Sequence, residues 1–107
     1  MFEHLSEAEI RDLIERPHTK DFLEAAQIEA AHQTARWGED HDANKSPEEW
    51  LWVVAYLTTK AIQAARYNDR EQYLHHIITA AAAMANWHRI ETGRNQTSDH
   101  KSTKGTQ

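Results

Sequence analysis

Apolar residues recur along this chain at steps of three and four, with no sustained alternation, so the pattern predicts helices and no sheet. Four segments carry that period. The first spans about Ser6 to Arg16: Ser6 and Glu9 form a capping-box pattern, Ile10, Leu13 and Ile14 make a short stripe, and Pro17 stops the run. Thr19 is placed to cap a second helix over about Lys20 to Arg36, whose apolar positions are Phe22, Leu23, Ala26, Ala30 and Ala31. Trp37-Gly38 ends it, and Gly38 to Lys45 reads as a polar surface loop. Ser46-Pro47-Glu48-Glu49 joins a capping serine, a first-turn proline and two carboxylates facing the positive end of a helix dipole. A third helix should run from there to about Tyr67, with Trp50, Val53, Val54, Leu57, Ala61 and Ala64 inward and Asn68-Asp69 as the turn. The fourth, from about Arg70 to Glu91, carries Leu74, Ile77, Ile78, Ala81, Met84 and Ala85, with Gly93 placed to terminate it. Apolar residues almost vanish after Gly93. The expected organisation is one helical domain over residues 1–93 and a disordered tail over 94–107.

Composition narrows the function classes. At 107 residues and 39% hydrophobic content there is material for one small domain. The absence of cysteine removes disulfide frameworks, zinc ribbons and thiol chemistry, and fits a reducing compartment. No apolar run approaches the ~20 residues of a spanning helix, and Met1-Phe2-Glu3-His4 lacks the basic region of an export signal, so no membrane association and a cytoplasmic location are expected. A formal charge of -5 argues against binding to DNA or RNA backbones, which rests on clustered Lys and Arg. Eight histidines give scope for pH sensitivity, since protonating all of them would move the charge from -5 to +3. His4, His18, His41 and His100 fall near a terminus, in loops or in the tail, whereas His32, His75, His76 and His88 fall in helices. Adjacent His75 and His76 diverge by about 100° on a helix and no His-x-x-x-His pair exists, so a zinc site is not indicated. Glu39, Asp40 and Asp42 with His41 offer a hard-cation alternative to a solvated acidic loop, at a spacing that matches no known cation loop.

The run Ala80 to Ala83, extended by Met84-Ala85, presents small side chains around the fourth helix and lets neighbours approach closely. Covering so many small apolar positions is easier with a second subunit, so a homodimer is expected; helix propensity alone is the competing explanation of the alanines. Trp50 and Trp87 are expected as anchors of the core or of the dimer interface, while Trp52 falls on the opposite side of its helix as a partner surface. Trp37 either stacks on a nucleobase or locks the loop to the bundle.

Glu29, Gln33, Trp37, Gly38 and Glu39, then Ser46, Pro47, Trp50 and Leu51, then Ala80 to Ala83 and Trp87 together resemble landmarks of the MazG-like, all-α nucleoside triphosphate pyrophosphohydrolases. The resemblance is particularly to the short forms of phages and mobile gene cassettes. It covers Glu29 to Trp87, with Ala30 and His32 standing where many members have arginines. The fold it implies is a MazG-like four-helix bundle, completed by dimerisation. Its implied chemistry is a Glu-Glu-x-x-Glu pattern on one helix and Glu-x-x-Asp on the next, which hold Mg²⁺ against a triphosphate and help generate the attacking hydroxide.

In that register Tyr56, Leu57 and Lys60 stand at the first pattern and His76 and Thr79 at the second, so none of the acids is retained. Between Trp50 and Ala85 the only acids are Asp69 and Glu71, both at the inter-helix turn, so no sliding of the register recovers the site. The replacements are polar and spaced to converge. Tyr56 and Lys60 lie at i and i+4, and His75, Thr79, Ala82 and Asn86 trace one line along the next helix. Tyr56, Lys60, His75, His76, Thr79 and Asn86, with Trp37 as a stacking surface, are therefore the candidate ligand-binding residues, and their donors suit a phosphate, a nucleotide or another anion. No cofactor is expected, with Mg²⁺ required only if hydrolysis persists. The expected function is a catalytically degenerate MazG-like ligand-binding or protein-interaction module, accessory to a phage or mobile element. The alternatives are an active pyrophosphohydrolase with a rearranged site and a purely structural interaction protein.

Overall fold

The computed structural model describes the backbone of residues 4–104 and the side chains of residues 4–94. Five helices follow in order, α1 (Glu7–Ile14), α2 (Pro17–Trp37), α3 (Glu39–Ala43), α4 (Pro47–Arg66) and α5 (Arg70–Lys104). There is no strand among the described residues, so the chain is all-α as its periodicity predicts.

Both predicted capping boxes form. The Ser6 hydroxyl accepts from the Glu9 N–H at 3.1 Å while the Ser6 N–H donates to the Glu9 carboxylate at 2.8 Å, and Ser46 and Glu49 repeat the exchange at 3.2 and 2.8 Å. The backbone N–H groups of Ser6 and Ser46 hold the two glutamate carboxyls below their ordinary pKa. After α4, Asn68 takes a left-handed φ of 59°, a conformation asparagine tolerates, and the Asp69 carboxylate accepts from the Gln72 N–H to start α5.

Three local expectations are corrected. The second helix begins at Pro17, with Arg16 rather than Thr19 at the cap position, because the fixed φ of proline suits the first helical position as well as it ends the preceding run. The segment from Gly38 to Lys45 is not wholly loop: Gly38 breaks α2 with a φ of 95°, and the chain resumes as the single turn of α3. Finally, Gly93 does not stop α5, which continues to Lys104. The adjacent Arg94 holds the chain there. Its guanidinium donates to the Ala43 carbonyl at 2.5 Å and the Lys45 carbonyl at 2.9 Å, capping the C-terminal end of α3, and pairs with Glu91 at 2.8 Å. Of the tail expected to be disordered over 94–107, the backbone continues α5 as far as Lys104, and residues 105–107 lie outside the described residues.

α5 lies between α2 and α4 and packs most extensively on α4, then on α2, with α3 bridging the end of α2 to α5. No residue of α1 is buried. The α4 stripe points inward as predicted: Trp50 and Ala61 are buried and Val53, Val54, Leu57 and Ala64 half-buried. On α5 the predicted stripe is only partly covered: Ile77, Ile78 and Ala81 are half-buried, while Leu74, Met84 and Ala85 are exposed. The face against α2 and α4 is made by Thr79, Ala80, Ala82, Ala83, Asn86 and Ile90, all buried. At 100° per residue this face lies about 180° from the one carrying Leu74, Ile77, Ile78, Ala81, Met84 and Ala85. Alanines win the inner face because they let three helices meet closely around one. Among the described residues the buried apolar set is small: Ala26, Trp50, Ala61, Ala80, Ala82, Ala83 and Ile90.

Candidate ligand-binding cleft

Because α2 and α4 both pack on α5 more than on each other, a cleft of about 740 Å³ opens between them. α5 supplies its floor through His75, His76, Thr79 and Asn86. One wall is α4 with Trp50, Tyr56 and Lys60; the other is the end of α2 with Trp37, followed by α3. All seven residues singled out from the sequence, Trp37, Tyr56, Lys60, His75, His76, Thr79 and Asn86, line this one cavity.

They do not have the same freedom to meet a ligand. Lys60 is half-buried with its Nζ 5.0 Å from the centre of the Tyr56 ring, and it enters no ion pair with a described carboxylate. His76 faces it. Burial, then the positive charge of Lys60 and the neighbouring His75, push the His76 pKa below the ordinary imidazole value, against the opposing pull of Asp69. A neutral imidazole follows near pH 7, and its Nδ1 is buried without a hydrogen-bond partner. The indole Nε1 of Trp50 is the second such orphan, on a residue only 2% exposed. That ring stacks on Trp87 at 6.4 Å between centroids and lies under the Lys45 ammonium at 4.8 Å. Native structures rarely leave such atoms unpaired, and both belong to residues lining the cleft.

Asn86 and Thr79 are already occupied. The Asn86 amide donates to the Ala30 carbonyl at 3.1 Å and to Gln33 Oε1 at 3.4 Å, and its Oδ1 accepts from Thr34 at 3.3 Å. The Thr79 hydroxyl donates to the His76 carbonyl at 3.0 Å, and the Thr79 carbonyl accepts from the Gln33 amide at 3.2 Å. These bonds tie α2 to α5. Trp37, 60% exposed and 5.8 Å from the His41 ring, stands at the open end of the cleft.

The cleft also holds residues the sequence reading did not single out as ligand contacts, namely Glu29, Arg36 and Lys45, and it draws in His41 and Asp42. Asp42, expected to be solvated, is 5% exposed: α3 turns it inward, where Lys45 lies at 3.4 Å and Arg89 at 3.7 Å and the Thr34 hydroxyl donates to it at 3.4 Å. The signal for this was the pairing of Asp42 with Lys45 at i and i+3, legible only once α3 is known to be helical. Glu39 stays outside and pairs with Arg89 at 3.0 Å. Among the described residues no three His, Asp or Glu side chains gather to hold a metal ion.

The arrangement sets three permanent cations, Arg36, Lys45 and Lys60, and three histidines against two carboxylates, one of which is spent on Lys45. Comparison with protein-family models, with curated proteins and with solved structures finds no match to this chain.

Proposed function

We propose that the chain is a non-hydrolytic helical module of MazG-like descent that binds an anionic small molecule, a phosphate or a nucleotide, between α2 and α4. The observation that carries this reading is Lys60, a half-buried ammonium with no carboxylate partner among the described residues, lining with His76 and its orphaned Nδ1 a cleft large enough for a mononucleotide. A charged group out of bulk water is stabilised by an opposite charge, and an oxyanion would supply it while accepting hydrogen bonds from the cleft's donors. Trp37 and Tyr56, both exposed rings at the cleft, suit a base or sugar beyond the phosphate. The positions where the resemblance puts the family's acids, Tyr56, Leu57, Lys60, His76 and Thr79, line this same cavity, which supports the reading. The role that fits is an accessory one in the cytoplasm, on a phage or mobile element.

A second reading has a specific observation behind it: Glu29 and Asp42 bring carboxylates into the cleft from α2 and α3, where a rearranged pyrophosphohydrolase would need them. One experiment separates the two. Thermal shifts are recorded with orthophosphate, pyrophosphate and a panel of ribo- and deoxynucleoside triphosphates, with and without chelator, while phosphate and pyrophosphate release are followed with Mg²⁺ or Mn²⁺. The binding reading expects stabilisation that survives chelator and is lost in Lys60→Ala, with no turnover. Metal-dependent turnover establishes the hydrolase instead. Neither shift nor turnover leaves the purely structural protein and sinks the anion site.

A further inference from the structure

The cations of the cleft stand at its two ends. At one end the Lys60 ammonium lies over the Tyr56 ring and faces His76, whose ring is 5.4 Å from that of His75. At the other end Trp37 meets His41 at 5.8 Å between ring centres, with Arg36 beside it in the chain. The Glu49 carboxyl, held below its ordinary pKa first by the Ser46 backbone N–H, also feels the charges of Lys45 and His41, which puts both at the start of α4. Trp50, in the first turn of α4, belongs to this second end: Lys45 lies over its ring at 4.8 Å and Trp87 of α5 stacks on it.

Two helices give the separation of these ends. Lys60 follows Trp50 by ten residues on α4 and Trp87 follows His76 by eleven on α5, so the ends lie about 15 Å apart along the antiparallel pair. Between them both helices are uncharged, α4 lining the cleft with Val53 and Leu57 and α5 with Thr79 and Asn86. On α2, Gln33 is bonded to Thr79 and Asn86, and Glu29 stands 3.8 Å from the His32 imidazole. The remaining carboxylate of the cleft, Asp42, is paired with Lys45 at 3.4 Å. Each end therefore keeps one permanent cation with no carboxylate partner among the described residues, Lys60 at one and Arg36 at the other. Each end also holds a buried polar atom without a hydrogen-bond partner, His76 Nδ1 and Trp50 Nε1. An indole N–H only donates, so the group that completes it carries an acceptor.

We propose that the cleft takes one elongated molecule with a phosphate at each end, one held by Lys60 and the other by Arg36, with a span of about 12–15 Å between them. This rests on the anion reading of the cleft and narrows it. A mononucleotide gathers its phosphates at one end and leaves the second cation unanswered, whereas a two-headed molecule with an uncharged middle answers both. Joining two weak contacts in one molecule makes the second binding event intramolecular, so affinity rises steeply at the length that matches the span.

The test is calorimetric titration of the full chain with linear α,ω-alkanebisphosphonates of graded length. Monoalkylphosphonates of matched length are the single-headed controls, and orthophosphate is the simplest anion. Affinity is expected to peak where the two phosphorus atoms stand about 12–15 Å apart, at least about 100-fold above the matched monoalkylphosphonate. Arg36 is exposed, so Arg36→Gln keeps the fold and is expected to bring the best bisphosphonate down to the level of its single-headed control. Lys60→Ala is expected to do the same and to remove orthophosphate binding as well. A flat length series overturns the two-headed ligand, as does a peak that survives Arg36→Gln. If either occurs while orthophosphate still binds and is lost in Lys60→Ala, the single anion site stands without the second end. Failure of every probe to bind overturns both.

Discussion

Asn86, expected at a ligand, lines the cleft and is also the buried clamp between α5 and α2, so its removal should cost stability. At 4% exposure it makes a 3.1 Å bond to the Ala30 carbonyl and longer bonds of 3.4 and 3.3 Å to Gln33 and Thr34. A buried bond of this kind contributes about 1 kcal/mol net, and long ones less. Asn86→Ala removes the set, opens a small void and leaves the Gln33 and Thr34 side chains to find other partners, so the cost should be about 2–3 kcal/mol. For a domain of this size that is roughly a 10–15 °C fall in melting temperature. Urea unfolding monitored by circular dichroism, at fixed protomer concentration because any self-association adds to apparent stability, gives the number directly. Thr34→Val should cost less, and the double variant should fall short of the sum of the two single losses because the side chains share a bond. A change below about 0.5 kcal/mol in Asn86→Ala would refute the reasoning, showing that α2 is held to α5 by alanine packing alone.

The lowered pKa of His76 makes stability depend on pH with a definite sign. The folded state resists protonation more than the unfolded one, so the contribution is complete above the ordinary value of 6.5 and is lost as pH falls through the lower folded pKa. Melting temperature should therefore drop on acidification over that window and drop less in His76→Gln; an equal drop in the variant would assign the effect to other histidines. Phosphate should bind more tightly over the same window, since an anion favours the imidazolium. Arg94→Ala should release the end of α3 from α5, raising hydrogen exchange across residues 39–45 while α4 stays protected, as the guanidinium is the donor to the carbonyls of Ala43 and Lys45. Unchanged exchange there would mean that α3 is held by Asp42 and its partners instead.

Local signals were legible residue by residue. The capping boxes at Ser6 and Ser46, the stop at Gly38 and the turn at Asn68 depend on hydrogen bonds and dihedrals within a few residues, which the chain carries wherever it goes. The composition of the cleft was legible too: polar residues repeating at i and i+4 on two adjacent helices must share faces, and an antiparallel pair turns those faces together. Three things were not. α3 is a single turn with no apolar period to announce it, and its inward Asp42 depends on Arg89, 47 positions away. Gly93 stays helical because Arg94 reaches carbonyls at positions 43 and 45, a contact no local rule sees. The most buried face of α5 was only partly read, through Thr79, Ala82 and Asn86, since both of its sides are apolar and periodicity cannot say which a neighbour takes. Sequence alone determined that this chain is helical and where most of its helices begin, because those are short-range properties. Tertiary structure alone decided that α5 turns Ala80, Ala82 and Ala83 inward and leaves Leu74 and Met84 exposed, because the closeness of approach between helices depends on the sizes of side chains from all of them at once.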